Sequence, residues 1–391
     1  MVKPFQFARL PKIIFGNGKI DELPGIIKKY GHSIIMVTGK HSFTGSPYYE
    51  SLLQSFNNKK IHVHRAIIPG EPSPGMIDEA VNRFKQESVN LIVSIGGGSV
   101  LDAGKAISAM MYRDESVSEY LEGVGNKEHN GAKLPFIAVP TTSGTGSEAT
   151  KNAVISQIGR EGFKRSLRHD NFVPDIAIID PELTLNCPGD ITAASGMDCF
   201  TQLTEAYLSD KSNEYTDALA MTGLKAVKSS LVRSFKNGQD IEARAGMSFA
   251  ALTSGICLTN AGLGAVHGFA ASIGGRYNIP HGVICGTLMA SANEVNVREL
   301  RRKSEDAAGL RKYALLGELF LDEKGRSADC YIDCFVQYLR DLTVDLQLPG
   351  LKIFGLEESE LKDICAKTEL KNNPVELTQD NLVEIVSKQL S

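Results

Sequence analysis

The chain has 391 residues, of which 42% are hydrophobic and 23% charged, so it is long enough for two ordinary domains with separate cores. Its formal net charge of −4 argues against a nucleic-acid or membrane-surface partner, which would favour a basic protein. No apolar run approaches the ~18 residues of a membrane span, and residues 1–10 lack the apolar core of a secretory signal, so we expect a cytoplasmic protein.

Short apolar runs alternate with helical patterns in the first half of the chain. Strands are predicted at residues 33–37, 61–67, 91–95, 134–139, 152–156 and 176–179, with an edge or dimer-pairing strand within 5–15. Helices are predicted at residues 20–30, 76–87 and 100–110. From Thr184 onward only helical patterns continue, interrupted at residues 274–275, 280 and 349–350. We therefore predict an α/β nucleotide-binding domain over residues 1–183 and an all-helical metal and substrate domain over residues 184–391.

Three consecutive glycines follow the strand predicted at 91–95. Glycines at 96–98 let the backbone approach a ligand closely, and the exposed N–H groups of the next helix face an anion. Ser99 can cap that helix and offer a hydroxyl to a phosphate. Asp102 and Lys105 share one helix face, either as a surface ion pair or as part of a site. The motif is consistent with a phosphate cradle and with a simple tight turn.

The loop after the strand at 33–37 bears on the choice of cofactor. In a parallel sheet, ligands bind where strands end. A carboxylate in this loop would bond a ribose diol and repel a 2′-phosphate, whereas Gly39 and Lys40 leave room and positive charge. The loop favours NADP over NAD.

A second polar loop follows the strand at 134–139. Its spacing of Gly144, Gly146 and Ala149 matches a dinucleotide fingerprint, but that pattern carries weight only in the first strand-to-helix turn of a nucleotide domain. We interpret the loop instead as a source of hydroxyl groups for the nicotinamide or pyrophosphate, with a helix cap as the alternative. Its hydroxyls belong to Thr141, Thr142, Thr145 and Ser147. A basic cluster suited to phosphate follows at Lys164, Arg165 and Arg168.

A candidate metal site lies in the helical half. Asp198 and Gln202 are four residues apart on one helix face, and His267 and His281 occur in glycine-rich surroundings. Two histidines and a carboxylate suit iron or zinc and leave coordination positions for a substrate. Core or cap histidines remain the alternative.

Four segments, in this order along the chain, resemble the iron-containing (group III) alcohol dehydrogenase family. They are GGGSVLDAGK at 96–105, PTTSGTGSE at 140–148, DCFTQLTEAY at 198–207, and the pair His267-Gly and Pro280-His281-Gly. The resemblance spans nearly the whole chain. It implies a Rossmann-like parallel-sheet domain, an all-helical domain and a cleft between them, the two-domain architecture of dehydroquinate synthase.

The resemblance also implies residue roles. The pyrophosphate would rest on Gly97, Gly98 and Ser99, and the nicotinamide side would contact Thr141, Thr142, Thr145 and Lys164. The metal ligands would be Asp198, Gln202, His267 and His281, with Asp198 and the two histidines acting in catalysis. Together, the residues expected to bind the cofactor are Gly39, Gly96, Gly97, Gly98, Ser99, Asp102, Thr141, Thr142, Thr145, Ser147 and Lys164.

Two departures from the family pattern bear on chemistry. Gln202 stands where the family has a histidine ligand, and an amide oxygen is a weaker donor than an imidazole. Ala271 stands where the family has a further histidine near the nicotinamide, so it cannot relay a proton. We expect one divalent metal, iron or zinc, bound with lower affinity.

The implied activity is hydride transfer between nicotinamide C4 and a small alcohol, aldehyde or ketone, assisted by the metal. We expect a homodimer without nucleic-acid or membrane partners. Three other readings stay open. They are a metal-independent reductase resembling maleylacetate reductase, in which Arg276 would bind a substrate carboxylate, a lyase of the dehydroquinate synthase type, and a nucleotide-binding protein with a decayed site.

Overall fold

The computed structural model describes residues 4–303 and 307–390. The strands are β1 (Lys12–Phe15), β2 (Ser33–Thr38), β3 (His62–Ile67), β4 (Leu91–Gly96), β5 (Phe136–Pro140), β6 (Asn152–Gln157), β7 (Phe163–Arg168) and β8 (Ile176–Ile179). The helices of the first half are α1 (Leu23–Ile27), α2 (Pro47–Asn58), α3 (Pro74–Phe84) and α4 (Gly98–Met110). The helices of the second half are α5 (Gly189–Leu208), α6 (Glu214–Lys236), α7 (Ile241–Ala261), α8 (Ala265–Arg276), α9 (His281–Arg302), α10 (Ala307–Phe320), α11 (Ala328–Asp345), α12 (Leu361–Ala366) and α13 (Gln379–Ser387).

Six strands form one parallel sheet in the order β1-β8-β5-β4-β2-β3. Successive side chains of each strand point alternately into two apolar layers, as the two-residue period of a strand requires. Ile35 and Val37 pack with α3 and α4, while Ile34 and Met36 pack with α1 and α2. The sheet is therefore covered on both faces, which together with the helical second half confirms the predicted fold class.

Two predicted elements differ from the structure. The strand predicted at 152–156 lies outside the main sheet, because β6 pairs with β7 as an antiparallel hairpin. β7 carries the sequence FKRSLR, whose charged side chains conceal the strand pattern, so the basic cluster of Lys164, Arg165 and Arg168 lies on a strand. The helix predicted at 20–30 is reduced to α1, preceded by a 3₁₀ turn.

The second half packs around α5. Most of α5 is buried, and it contacts α6, α7 and α9. The interruption predicted at 274–275 does not occur, because α8 continues through both glycines to Arg276. Pro280 does precede a new helix, since it is the N-cap residue of α9.

Within the described residues, no single helix has both the length and the apolar character needed to cross a membrane. The pair α7 and α8, bent by 99°, meets those two requirements only when taken together.

Candidate active site

Three loops meet where the central parallel strands end. β4 lies between β2 and β5, so the loops after these strands are neighbours. A Cβ atom at Gly98 would lie 2.7 Å from the Thr145 side chain, and one at Gly97 would lie 3.3 Å from Thr142 Oγ1. Only glycine permits this approach of the glycine turn to the threonine loop. The structure thus brings Gly97, Gly98, Thr142 and Thr145 together.

The position of Ser99 suggested that it caps α4, but it does not. The helix begins at Gly98, and its N-cap residue Gly97 makes no side-chain cap. Ser99 Oγ instead donates to Glu71 Oε1 at 3.3 Å. The N-cap residue therefore satisfies none of the first N–H groups of α4 with a side chain, which suits an anionic ligand.

Glu71 links the glycine turn to Lys164. The Lys164 ammonium lies 3.0 Å from Glu71 Oε2 and is almost fully buried. Burial alone would raise the pKa of Glu71, but the Lys164 ammonium holds it below its ordinary value. Lys164 also borders α8, because a Cβ atom at Gly274 would lie 3.3 Å from its Cδ. Lys164 therefore lies between the glycine turn and the helical half of the chain.

Asp102, Lys105 and Ser147 form a buried network, so Lys105 is not part of a surface ion pair. Lys105 is 1% exposed and donates to Ser147 O at 2.9 Å, Thr150 Oγ1 at 3.0 Å and Asn152 O at 2.7 Å. Asp102 accepts the Ser147 hydroxyl at 2.5 Å. Burial lowers the pKa of Lys105 to about 8. The structure directs Asp102 and Ser147 toward each other, and these contacts hold the threonine loop on α4.

Gly39 follows β2 directly and is buried. A Cβ atom at Gly39 would have Ser42 Oγ at 3.6 Å and Val100 Cγ2 at 3.7 Å as its nearest neighbours, which is ordinary contact. Lys40 is exposed. The loop therefore has room for a side chain at residue 39 and a cation beside it.

The predicted metal ligands converge from three helices. Asp198 lies in the middle of α5, His267 in the first turn of α8 and His281 at the start of α9. His267 Nε2 lies 3.2 Å and His281 Nε2 3.7 Å from Asp198 Oδ1. A Cβ atom at Gly282 would lie 2.2 Å from Ala194 O, so glycine is needed for α9 to cross α5 closely enough to bring His281 to Asp198.

Glu205 orients one of the histidines. One carboxylate oxygen, Oε2, lies 2.6 Å from His267 Nδ1, and the other, Oε1, accepts from the Val266 N–H at 2.7 Å. His267 therefore donates from Nδ1 and turns Nε2 toward Asp198. A carboxylate behind a histidine in this way is the usual support of a metal-binding imidazole.

The residues present fit a divalent cation. Gln202 Oε1 is buried and has no hydrogen-bond partner within the described part of the chain. Burial would raise the pKa of Asp198, but His281 and His267 lower it to about 2, so the carboxylate is ionised. Burial lowers the pKa of His281 to about 4, and Lys164 adds to the effect. An anionic carboxylate, a neutral imidazole and a buried amide oxygen without a partner form a donor set for a cation.

Three residues of this site escaped the sequence analysis. Cys285 has its Sγ within 4.8 Å of the donor atoms of Asp198, His267 and His281. Cys285 could have been found from the sequence because it lies one helical turn after His281. Glu205 could have been found because it lies on the same face of α5 as Asp198. Glu71 had no comparable signal, because it reaches Ser99 and Lys164 from a distant loop.

Arg276 is engaged elsewhere. Its guanidinium forms an ion pair with Glu360, which also accepts the Tyr277 hydroxyl. Glu360 therefore already neutralises the Arg276 positive charge that would bind a substrate carboxylate.

Comparisons with known proteins identify the family of the chain. A family model described as iron-containing alcohol dehydrogenase matches residues 11–181, and one described as the C-terminal part of that family matches residues 192–390. Alcohol dehydrogenase 4 of Schizosaccharomyces pombe is 31% identical over 381 residues, covering 95% of this chain and 86% of the relative. The NAD-dependent methanol dehydrogenase of Bacillus methanolicus is 30% identical over 392 residues, covering 97% and 98%.

A solved structure has the same fold over its full length. An archaeal halo-thermophilic alcohol dehydrogenase from a Red Sea brine pool matches with a TM-score of 0.89 and 25% identity, covering 100% of this chain and 99% of that one. Sequence and structure agree across both halves of the chain. The protein belongs to the iron-containing alcohol dehydrogenase family and is an oxidoreductase that acts on CH–OH groups.

Proposed function

We propose that this protein is an NADP-preferring, metal-dependent alcohol dehydrogenase that interconverts small alcohols with aldehydes or ketones. One observation carries the proposal. Helix α8, which carries His267, packs against Lys164, and Lys164 is ion-paired with Glu71, to which Ser99 of the glycine turn donates. A metal and a nicotinamide held at these two places would share one substrate.

Each predicted residue has a role in this proposal. The glycine turn at Gly96, Gly97, Gly98 and Ser99 holds the pyrophosphate, and Thr141, Thr142, Thr145 and Lys164 border the nicotinamide. Asp102 and Ser147 act through the buried network that positions the threonine loop. Asp198, His267 and His281 bind the cation, and Gln202 borders it one turn after Asp198 on α5.

The bound groups supply the redox chemistry, because a nicotinamide exchanges the hydride and a divalent metal polarises the substrate oxygen. The chain supplies position. Glu205 fixes the His267 ring, and Asp198 and His267 are buried. The half-buried Ala271 offers no proton-carrying group, so the alcohol proton leaves through water or a ribose hydroxyl.

The preference for NADP rests on the loop after β2. Gly39 places no carboxylate in this loop, and Lys40 is exposed beside it. A carboxylate would repel a 2′-phosphate and a cation attracts one, so the loop favours NADP.

The deciding experiment combines elemental analysis with an assay. Protein purified without chelator is expected to hold about one equivalent of iron or zinc, and NADPH oxidation with a panel of small aldehydes should be lost on metal removal and regained on reloading. Activity that persists in fully metal-free protein would refute metal dependence and favour a reductase that relies on side chains alone.

Three further features are proposals. We place a domain boundary at residues 183–184, in the segment between β8 and α5. A cytoplasmic location and a homodimer paired through the edge strand β1 complete the proposal. Light scattering would test the dimer, and a monomer at micromolar concentration would refute it.

A further inference from the structure

We propose that the Cys285 thiolate is the fourth protein ligand of the metal, in place of the Gln202 amide, and that the site consequently prefers zinc to iron. The inference rests on the proposed function, because it concerns the same metal site. Four observations carry it: the spacing of the donor atoms, the position of Cys285 on α9, the placement of Gln202 and the chemistry of sulfur.

The spacing of the donor atoms fits one tetrahedral ion. Cys285 Sγ lies 3.7 Å from His267 Nε2 and 3.7 Å from His281 Nε2. With zinc–sulfur and zinc–nitrogen bonds of about 2.3 and 2.0–2.1 Å, a tetrahedral site separates sulfur from nitrogen by about 3.6 Å. The same calculation separates nitrogen from oxygen by about 3.4 Å, against 3.2 and 3.7 Å from Asp198 Oδ1 to the two histidines. These four separations are close to those of one tetrahedral ion, and all four donor atoms lie within 4.8 Å of one another.

The position of Cys285 is set by α9. Residues four apart lie on one helix face, so Cys285 follows His281 by one turn and faces the same cluster. Its side chain is fully buried, and its two polar contacts are the imidazole nitrogens of His267 and His281. Cys257 provides the contrast, because it is equally buried but directs its sulfur to the Thr216 carbonyl oxygen at 3.8 Å.

Gln202 is the competing donor. It lies one turn after Asp198 on α5, and its side chain is buried. A neutral amide oxygen is a much weaker ligand than a thiolate for a borderline-soft ion.

The chemistry of sulfur decides the metal. A thiolate favours zinc, whereas carboxylate, carbonyl and water oxygens favour harder ions. Binding replaces the thiol proton of Cys285 by the metal and releases that proton to solvent, so no oxidant or reductant is needed. The metal would then have two anionic ligands, the Asp198 carboxylate and the Cys285 thiolate.

The first test needs no variant. X-ray absorption of the zinc-loaded wild-type protein is expected to show one sulfur at about 2.3 Å and the remaining ligands at about 2.0–2.2 Å. The cobalt-substituted protein should show a near-ultraviolet thiolate-to-cobalt charge-transfer band. Zinc bound at one equivalent with nitrogen and oxygen ligands alone would overturn the inference, and so would a cobalt spectrum without that band.

Variants assign the sulfur. Cys285→Ser should remove the cobalt band and weaken zinc binding at least about 10-fold. Mutation of a residue that only supports a metal ligand already costs that much, so loss of a ligand should cost no less. Cys285→Ser should also lower the zinc-to-iron ratio taken up from an equimolar mixture. Cys257→Ser, the matched buried control, and Gln202→Ala should retain the band. Loss of the band in Gln202→Ala but not in Cys285→Ser would overturn the assignment.

The two proposals fail in different ways. A metal bound without sulfur, together with metal-dependent NADPH oxidation, would refute the role of Cys285 and leave the proposed function intact. Metal-free wild-type protein that still reduces aldehydes would refute metal dependence, and the inference would fall with it.

Discussion

Glu205→Gln tests how the site holds His267. The carboxylate accepts two hydrogen bonds, one from His267 Nδ1 at 2.6 Å and one from the Val266 N–H at 2.7 Å. A glutamine amide has one oxygen, so its NH₂ group must face one of these two donors. His267 then loses either its charge-assisted hydrogen bond or its fixed ring orientation.

The magnitude follows from these contacts. A hydrogen bond to a charged group contributes about 1.5–3 kcal/mol, and loss of an outer partner of a metal ligand costs about 10- to 100-fold in metal affinity. We therefore expect zinc affinity to fall by about 10- to 100-fold, which corresponds to about 1.4–2.8 kcal/mol. The free energy of unfolding of the metal-free protein should fall by about 1–3 kcal/mol.

The assay is a zinc competition titration against a chromophoric chelator, paired with denaturant unfolding of the metal-free protein. Glu376→Gln is the control, since Glu376 is 93% exposed and its Oε2 lies 3.4 Å from Lys303 Nζ on the protein surface. A surface pair of this kind contributes about 0–1 kcal/mol, so the control should bind zinc as the wild type does. A folded Glu205→Gln protein whose zinc affinity lies within twofold of wild type would refute the role of Glu205.

Three further predictions concern the cofactor loops and pH. Gly39→Asp should lower the ratio of kcat/KM for NADPH to that for NADH at least about 10-fold, because a carboxylate repels a 2′-phosphate and a Cβ atom at this position would make only ordinary contacts; an unchanged ratio, with Gly39→Ala as control, would contradict our interpretation of the loop. Gly98→Ala should raise the KM for the cofactor several-fold, since its Cβ would lie 2.7 Å from Thr145, whereas Gly25→Ala, with nothing within 4 Å, should leave it unchanged. Burial lowers the pKa of His129 to about 4, and its Nδ1 accepts from the Gly131 N–H at 2.9 Å, so the folded state resists protonation there. Because the unfolded state binds the proton first as pH falls from about 6.5 to 4, stability should decrease over that range. His129→Gln should reduce that decrease by about 1 kcal/mol in denaturant unfolding, unlike the exposed His62→Gln.

Local sequence was sufficient for the parallel sheet and the turn that follows β4. The runs that became β2, β4, β5 and β8 are apolar on both faces, as strands covered on both sides must be, and three glycines mark where backbone and ligand approach. The helical periodicity from Thr184 onward likewise indicated a second, all-helical region. These signals are local, because each depends on residues within one strand, turn or helix.

The two histidines were predicted as ligands because their motifs resemble those of a known family, and not because spacing alone indicated a site. His267 and His281 are far from Asp198 along the chain, and only the crossing of α5, α8 and α9 brings their nitrogens within 3.2 and 3.7 Å of its oxygen. The roles of all the predicted metal and cofactor ligands stay predictions.

Tertiary structure alone decided which charged groups are buried and which partners they have. Lys105 could have been a surface lysine by its spacing from Asp102, but α4 packs against β6 and encloses it among carbonyl and hydroxyl oxygens. Cys285 could equally have been a packing cysteine, until the approach of α9 to α5 placed its sulfur beside two imidazoles. Sequence periodicity indicates which face of an element is apolar, whereas the partners of a buried polar atom depend on elements that are distant in the chain and adjacent only after folding.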